Sequence, residues 1–120
     1  MEPVNLSLRI RTASSFSQRL LGWLCIQAAP TDSALFFPRC NAVHTCFMRF
    51  AIDVVFVDSC GRVLRVVPDL RPWRASACRP ASGVLELAAG VIRRADLRPG
   101  MRILDLPILS NDHPVTRRVR

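Results

Sequence analysis

The clearest alternation of apolar and polar residues lies near the start of the chain. Across residues 5–11, Leu6, Leu8 and Ile10 point one way and Asn5, Ser7, Arg9 and Arg11 the other, the two-residue period of a half-buried strand. The period then lengthens. Ser15 and Gln18 form a capping box, in which each side chain satisfies a free backbone N–H, and Phe16, Leu20, Trp23 and Leu24 share the face of the helix that follows. Gly22 weakens that helix by about 1 kcal/mol relative to alanine, as a close packing approach would require. Pro30 closes the segment.

Residues 33–37 read as a short strand stopped by Pro38, and residues 40–50 as a second, extended or irregular run. Residues 53–57 are nearly all apolar, the mark of a strand buried on both faces. Asp58-Ser59-Cys60-Gly61 predicts a tight turn with Gly61 as its left-handed residue, and residues 62–67 return as the partner strand. Pro68, Pro72 and Pro80 mark residues 68–80 as a loop anchored by Trp73. Residues 84–87 follow as a strand and residues 89–95 as a short helix. Leu97-Arg98-Pro99-Gly100 then turns the chain into a last strand at 101–106. The pattern predicts an α+β fold: a compact, mostly antiparallel, barrel-like sheet of about seven short strands with one or two short helices.

Length and composition agree with one globular domain over residues 1–110, followed by a basic, frayed tail at 111–120. At 120 residues, half of them hydrophobic, the chain can bury a core without a disulfide or metal staple. No apolar stretch approaches the ~20 residues of a membrane span. The opening Met1-Glu2-Pro3 lacks the basic-then-apolar pattern of a secretory signal, so a cytoplasmic location is expected unless translation starts upstream of Met1. Five cysteines, Cys25, Cys40, Cys46, Cys60 and Cys78, exclude a complete disulfide framework and suit a reducing compartment.

Charge adds one further possibility. The formal net charge is +8, and every cation is arginine, a bias that GC-rich coding produces whatever the function. The arginines are scattered, apart from Arg93-Arg94 and the Arg117-Arg118-Val119-Arg120 end, so a solvated arginine surface is favoured over a polyanion site.

Candidate chemistry concentrates in one stretch. As a strand, residues 40–50 place Cys40, Ala42, His44, Cys46 and Met48 on one face; as a helix, they still align Cys40, His44 and Met48. Thiolate, imidazole and thioether are ligands for zinc or copper. Residues two apart on a strand stand about 7 Å from each other, so one metal needs a bend or a contribution from elsewhere, with Cys78 the obvious source. The same residues admit thiol catalysis, with Cys40 or Cys78 as nucleophile, His44 as base and Asp53 or Glu86 orienting the imidazole. Met48 and His44 also read as ordinary core residues, Asp53 as a local turn residue, and Glu86 as a solvent-facing position between Leu85 and Leu87. Trp73, beside Arg71 and Arg74, forms a cationic aromatic platform or plugs the edge of the core.

Taken together these blocks resemble the family known as domain of unknown function number 192. They are Arg19-Leu20-Leu21-Gly22; Cys40 with His44-Thr45 and Phe47-Met48; Ile52-Asp53-Val54-Val55-Phe56 through Asp58, Gly61, Arg62 and Val63; Leu70-Arg71-Pro72-Trp73-Arg74 with Ala77-Cys78; and Val84-Leu85-Glu86-Leu87 with Gly90. The resemblance runs to about Leu106 and implies a small β-barrel with flanking helices. It carries over no catalytic residue. Ala51 and Ala88 stand where that family usually has proline, and Met101 where aspartate commonly follows the turn glycine.

The sequence thus predicts a non-enzymatic accessory domain that binds a small ligand or partner through Cys40, His44, Met48, Asp53, Trp73, Cys78 and Glu86, with no cofactor, no resident metal and no catalytic residue. The alternatives are a thiol- or metal-dependent hydrolase built on Cys40, His44 and Cys78, and a polyanion binder acting through the arginines. The identity of a partner is not encoded in any motif.

Overall fold

The computed structural model describes residues 3–4, 9–12, 33–46, 48–103 and 118–119. The capped helix expected after Ser15 lies outside the described residues, as do the start of the first predicted strand and the end of the last. The elements in chain order are β1 (Pro3–Val4), β2 (Arg9–Thr12), β3 (Ser33–Pro38), β4 (Cys40–His44), β5 (Ile52–Val57), β6 (Val63–Leu70), β7 (Ala75–Ala77), β8 (Gly83–Ala88), α1 (Val91–Arg94), β9 (Arg102–Ile103) and β10 (Arg118–Val119).

The main sheet has five strands in the order β2-β3-β8-β5-β6. Its β3–β8, β8–β5 and β5–β6 pairs are antiparallel, and only β2 lies parallel to its neighbour. A second sheet runs β10-β4-β7, and β1 pairs with β9. The molecule is therefore sheet-rich and mostly antiparallel, with one short helix among the described residues. The barrel expected from sequence does not close there, because β2 and β6 are the two edges of an open sheet and a barrel requires its edges to pair. No helix among the described residues is long and apolar enough to cross a membrane.

The centre of the fold is the β5–β8 pair, every residue of which is buried. The continuous apolar run of β5 already implied burial on both faces. For β8 the outcome differs from expectation at Glu86, which is fully buried rather than solvent-facing. It stands in register between Leu35 of β3 and Val54 of β5, so the sheet itself closes over it.

The turn between β5 and β6 forms as predicted. Gly61 has φ 81°, and the Asp58 carboxylate accepts the N–H groups of Cys60 at 2.8 Å and Arg62 at 2.9 Å. The proline-rich loop does not. β6 continues to Leu70, three residues beyond the expected end, and β7 forms inside the supposed loop. Pro68 is tolerated because β6 is an edge strand and bulges at that point. Ile52 faces Leu70 and Val54 faces Val67, which leaves Asp53 opposite both Pro68 and Asp69.

Asp53 makes this bulge affordable in hydrogen-bonding terms. Pro68 has no N–H to lose, and the N–H of Asp69, at φ 55°, donates to Asp53 Oδ1 at 2.9 Å. The other carboxylate oxygen accepts from Gly90 at 3.0 Å and Ile92 at 2.8 Å, at the start of α1. Gly90, at φ 98°, has no capping side chain of its own, so a residue of β5 supplies the missing acceptor. The helix is confined to Val91–Arg94, shorter than the 89–95 expected, since the left-handed Gly90 delays its start.

Chain direction changes at β3–β4 through one residue. Arg39 adopts φ 57° and donates its N–H to Ser82 O at 2.8 Å, carrying the chain from the main sheet into the second one. In the basic tail, Arg118 and Val119 lie parallel to β4, in register with Cys40 and Ala42.

Two outcomes test this architecture. A Cβ on Gly83 would stand 2.6 Å and 2.7 Å from ring carbons of Phe36, whose ring is itself buried. Gly83→Ala should cost about 1–3 kcal/mol in urea unfolding, and adding Phe36→Leu should recover part of that loss. Asp53→Asn should cost at least about 2 kcal/mol, because one amide oxygen cannot serve three N–H groups. Amide exchange at Ile92 and Asp69 should accelerate with it; unchanged exchange there would show the carboxylate bonds to be dispensable.

Candidate functional site

The four residues between β6 and β7, Arg71-Pro72-Trp73-Arg74, form a turn with an unusual occupant. Proline at its second position fixes φ near −65°. Trp73 at its third adopts φ 63°, where a type II turn ordinarily takes glycine. For a bulky aromatic residue this region is a steric outlier, costing about 1–2 kcal/mol. Trp73 is nonetheless 58% exposed, the one large hydrophobic side chain left outside among the described residues.

Thr45 holds the turn in place. Its side chain is fully buried, and its hydroxyl bridges the mouth of the turn, donating to the Arg71 carbonyl and accepting the Arg74 N–H at 2.9 Å. The Arg74 carbonyl lies 3.2 Å from the same oxygen and accepts the Thr45 N–H at 2.8 Å. The Thr45 carbonyl in turn accepts from Trp73 and from Met48, each at 3.1 Å. One residue thereby joins the end of β4, the start of the β4–β5 connection and the whole Trp73 turn. The β4–β7 ladder extends the same contact, with His44 opposite Ala75 and Ala42 opposite Ala77.

The predicted site residues divide into two groups. Cys40 and His44 lie on β4; Cys78 donates its N–H to the Asn41 carbonyl at 2.8 Å; Met48 and Trp73 both bond the Thr45 carbonyl. These five gather around β4 and the Trp73 turn. Asp53 and Glu86 belong to the main sheet, where Asp53 faces Leu87 and Val54 faces Glu86. Adjacent strand residues point oppositely, so the two carboxylates occupy opposite faces. Asp53 is committed to backbone N–H groups. The single stripe expected from Cys40 to Met48 ends at His44, because β4 stops there and the chain turns at Cys46. Cys40 and Met48 are buried in the core, and Cys78 packs against it.

Among the described residues no three His, Cys, Asp or Glu side chains are grouped closely enough to hold a metal ion. The cysteines there are free thiols, with Cys60 exposed and Cys46 and Cys78 partly so.

Sequence reasoning assigned no role to Thr45. A threonine after a strand is commonplace, and its hydroxyl partners lie 26 and 29 residues away. The available signal was the tryptophan itself, placed after a proline where a turn asks for glycine.

Arginine dominates the exposed charge of the described residues. Every arginine whose side chain is described is exposed except Arg39. The exposed carboxylates among those residues are Asp69 and Asp96, and Asp96 pairs with Arg98 at 3.1 Å. Arg71 and Arg74 lie in the same turn as Trp73, and the Arg74 guanidinium donates to the Trp73 carbonyl at 3.4 Å. Arg49 follows Met48, and Arg65 of β6 donates to the Ala77 carbonyl at 2.8 Å, at the far end of β7.

The hydroxyl bridge has a direct test. Thr45→Val keeps the shape and removes the hydroxyl, and should cost about 1–3 kcal/mol through the unpaired Arg71 and Arg74 groups. Thr45→Ser keeps the bridge and should lose only about 1 kcal/mol for its missing methyl. Urea unfolding that ranks valine as stable as serine would remove the bridge from the account.

The chain is similar to several known proteins. The Pyrococcus furiosus protein named UPF0127 protein PF1050 is 33% identical, over 80% of this chain and 85% of its own. A crystal structure of a candidate transcription regulator from Sinorhizobium meliloti 1021 superposes with a TM-score of 0.69 at 25% identity, covering 79% of each chain. A protein of unknown function from Novosphingobium aromaticivorans shares the fold at a TM-score of 0.65 and 19% identity, over 79% of this chain and 73% of that one. The family model DUF192, described as an uncharacterized ACR, matches residues 2–104, and the chain belongs to that family.

Proposed function

We propose that this protein is a non-enzymatic binding domain whose contact surface is the Trp73 turn. The observation that carries this reading is the combination of strain and exposure at Trp73. A left-handed backbone costs stability, and burying the indole would be the usual compensation; here the ring is presented to solvent instead. The backbone of the turn is also held by Thr45, so little main-chain ordering accompanies contact with a partner. Tryptophan and arginine are the side chains most enriched where binding energy concentrates, and Arg71 and Arg74 lie in the same exposed turn.

A binding role also agrees with the designation of the Sinorhizobium meliloti relative as a candidate transcription regulator, since regulators act by engaging partners. The free thiols of Cys40, Cys46, Cys60 and Cys78 suit a cytoplasmic setting.

The test separates presentation from packing. Trp73→Gly removes the indole and fits the positive φ, so its stability should be unchanged or raised by up to about 1 kcal/mol. A loss of more than about 1.5 kcal/mol in urea unfolding would make Trp73 a packing residue, because surface substitutions stay near ±0.5 kcal/mol, and would remove the basis of the proposal.

A further inference from the structure

We infer that Arg62 and Arg102 together take a phosphate-type dianion, either inorganic phosphate or the phosphoryl group of a phosphomonoester. The site is separate from the Trp73 turn, because Arg62 precedes the eight-residue β6 and Trp73 follows its other end.

Backbone hydrogen bonds set the two arginines side by side. They are partners in an isolated antiparallel bridge. Two bonds frame that bridge: the Val63 N–H donates to the Met101 carbonyl at 2.7 Å, and the Ile103 N–H to the Gly61 carbonyl at 2.9 Å. Arg62 and Arg102 are therefore a pair of the non-hydrogen-bonded kind, with Cα atoms about 4.5 Å apart and side chains leaving the same face. Both are exposed. Like charges directly opposite each other oppose strand pairing, so a counter-charge shared by the two stabilises the bridge. Among the described residues no carboxylate supplies it. Asp96 is paired with Arg98 at 3.1 Å, and Asp58 Oδ1 accepts the backbone N–H groups of Cys60 and Arg62.

The frame around the pair is fixed. The Asp58 N–H donates to the Arg62 carbonyl at 2.9 Å, and the Gly100 N–H to the Val63 carbonyl at 2.8 Å. Arg102 Nε donates to the Cys60 carbonyl at 3.2 Å. That guanidinium is thus tethered at its root, and its two Nη groups remain for a ligand.

Charge and donor count choose the ligand class. Two guanidinium groups, each permanently charged, are neutralised by one dianion, whereas a carboxylate neutralises one of them. A phosphoryl group carries about −1.5 to −2 charges at neutral pH and presents three strong acceptor oxygens, enough to accept from both arginines at once.

The experiment titrates the full, isotope-labelled chain with inorganic phosphate, holding ionic strength constant with sodium chloride. Saturable shifts of the Arg62 and Arg102 Nε–H resonances are expected, with a dissociation constant in the millimolar range. Arg62→Gln and Arg102→Gln should each weaken binding roughly fivefold, the scale of one exposed ion pair. Arg71→Gln, at the other end of β6, should leave it unchanged. Without phosphate, Arg62→Gln should melt no lower than the parent, since it relieves the repulsion across the bridge.

Glycerol phosphate binding as tightly as inorganic phosphate would support a phosphomonoester as the ligand; glycerol phosphate binding much more weakly would support inorganic phosphate. Acetate binding as tightly as phosphate would overturn the inference, because one carboxylate would then suffice. So would equal weakening by Arg71→Gln, which would make the effect one of general surface charge. Shifts that do not saturate, or that persist in Arg62→Gln, would overturn it, as would a lowered melting temperature of phosphate-free Arg62→Gln, which would give Arg62 a structural partner instead.

Discussion

One buried carboxylate decides how the outer parts of this fold attach to its centre. Asp53 lies in β5, the strand between β8 and the β6 edge, and it spends both oxygens on backbone N–H groups that would otherwise be buried without partners. One oxygen stabilises the bulge in β6 and the other the first residues of α1. Buried polar groups are tolerated only when satisfied, and the converse applies here: the bulge and the helix start are tolerated because Asp53 satisfies them. The bulge in turn returns Leu70 to register with Ile52 and sends the chain toward the Trp73 turn. The site therefore depends on an aspartate that has no contact with it.

Thr45 repeats this logic in the second sheet. Turn residues whose carbonyl and N–H do not bond each other directly need a substitute, and the hydroxyl, being both donor and acceptor, serves both at once. Valine has the same outline but neither capacity. With the turn fixed from below by Thr45 and β7 zipped to β4, the left-handed conformation of Trp73 is imposed by its surroundings rather than chosen by the residue. That is the usual condition under which a strained residue persists.

Folding also redistributes the charge. Asp53 and Glu86 are withdrawn into the interior, and Asp58 closes its own turn. The described arginines other than Arg39 stay outside. Among the described residues the surface is therefore more uniformly cationic than the composition alone conveys.

Much of the fold was legible in local patterns. The apolar run of β5, the Asp58–Gly61 turn and the strand at Val84 each follow from forces acting between near neighbours: burial period, turn sterics and side-chain capping. So does family membership, which reflects ordered blocks of residues. What the sequence by itself could not determine are the long-range pairings. The prolines at 68, 72 and 80 argued for a loop, yet β7 forms there because β4 offers it a partner. Glu86 looked solvent-facing until β3 and β5 closed over it. Tertiary structure alone decided that Trp73 stands outside and that Thr45 holds it there, because a hydroxyl shows no preference in sequence for partners nearly thirty residues away.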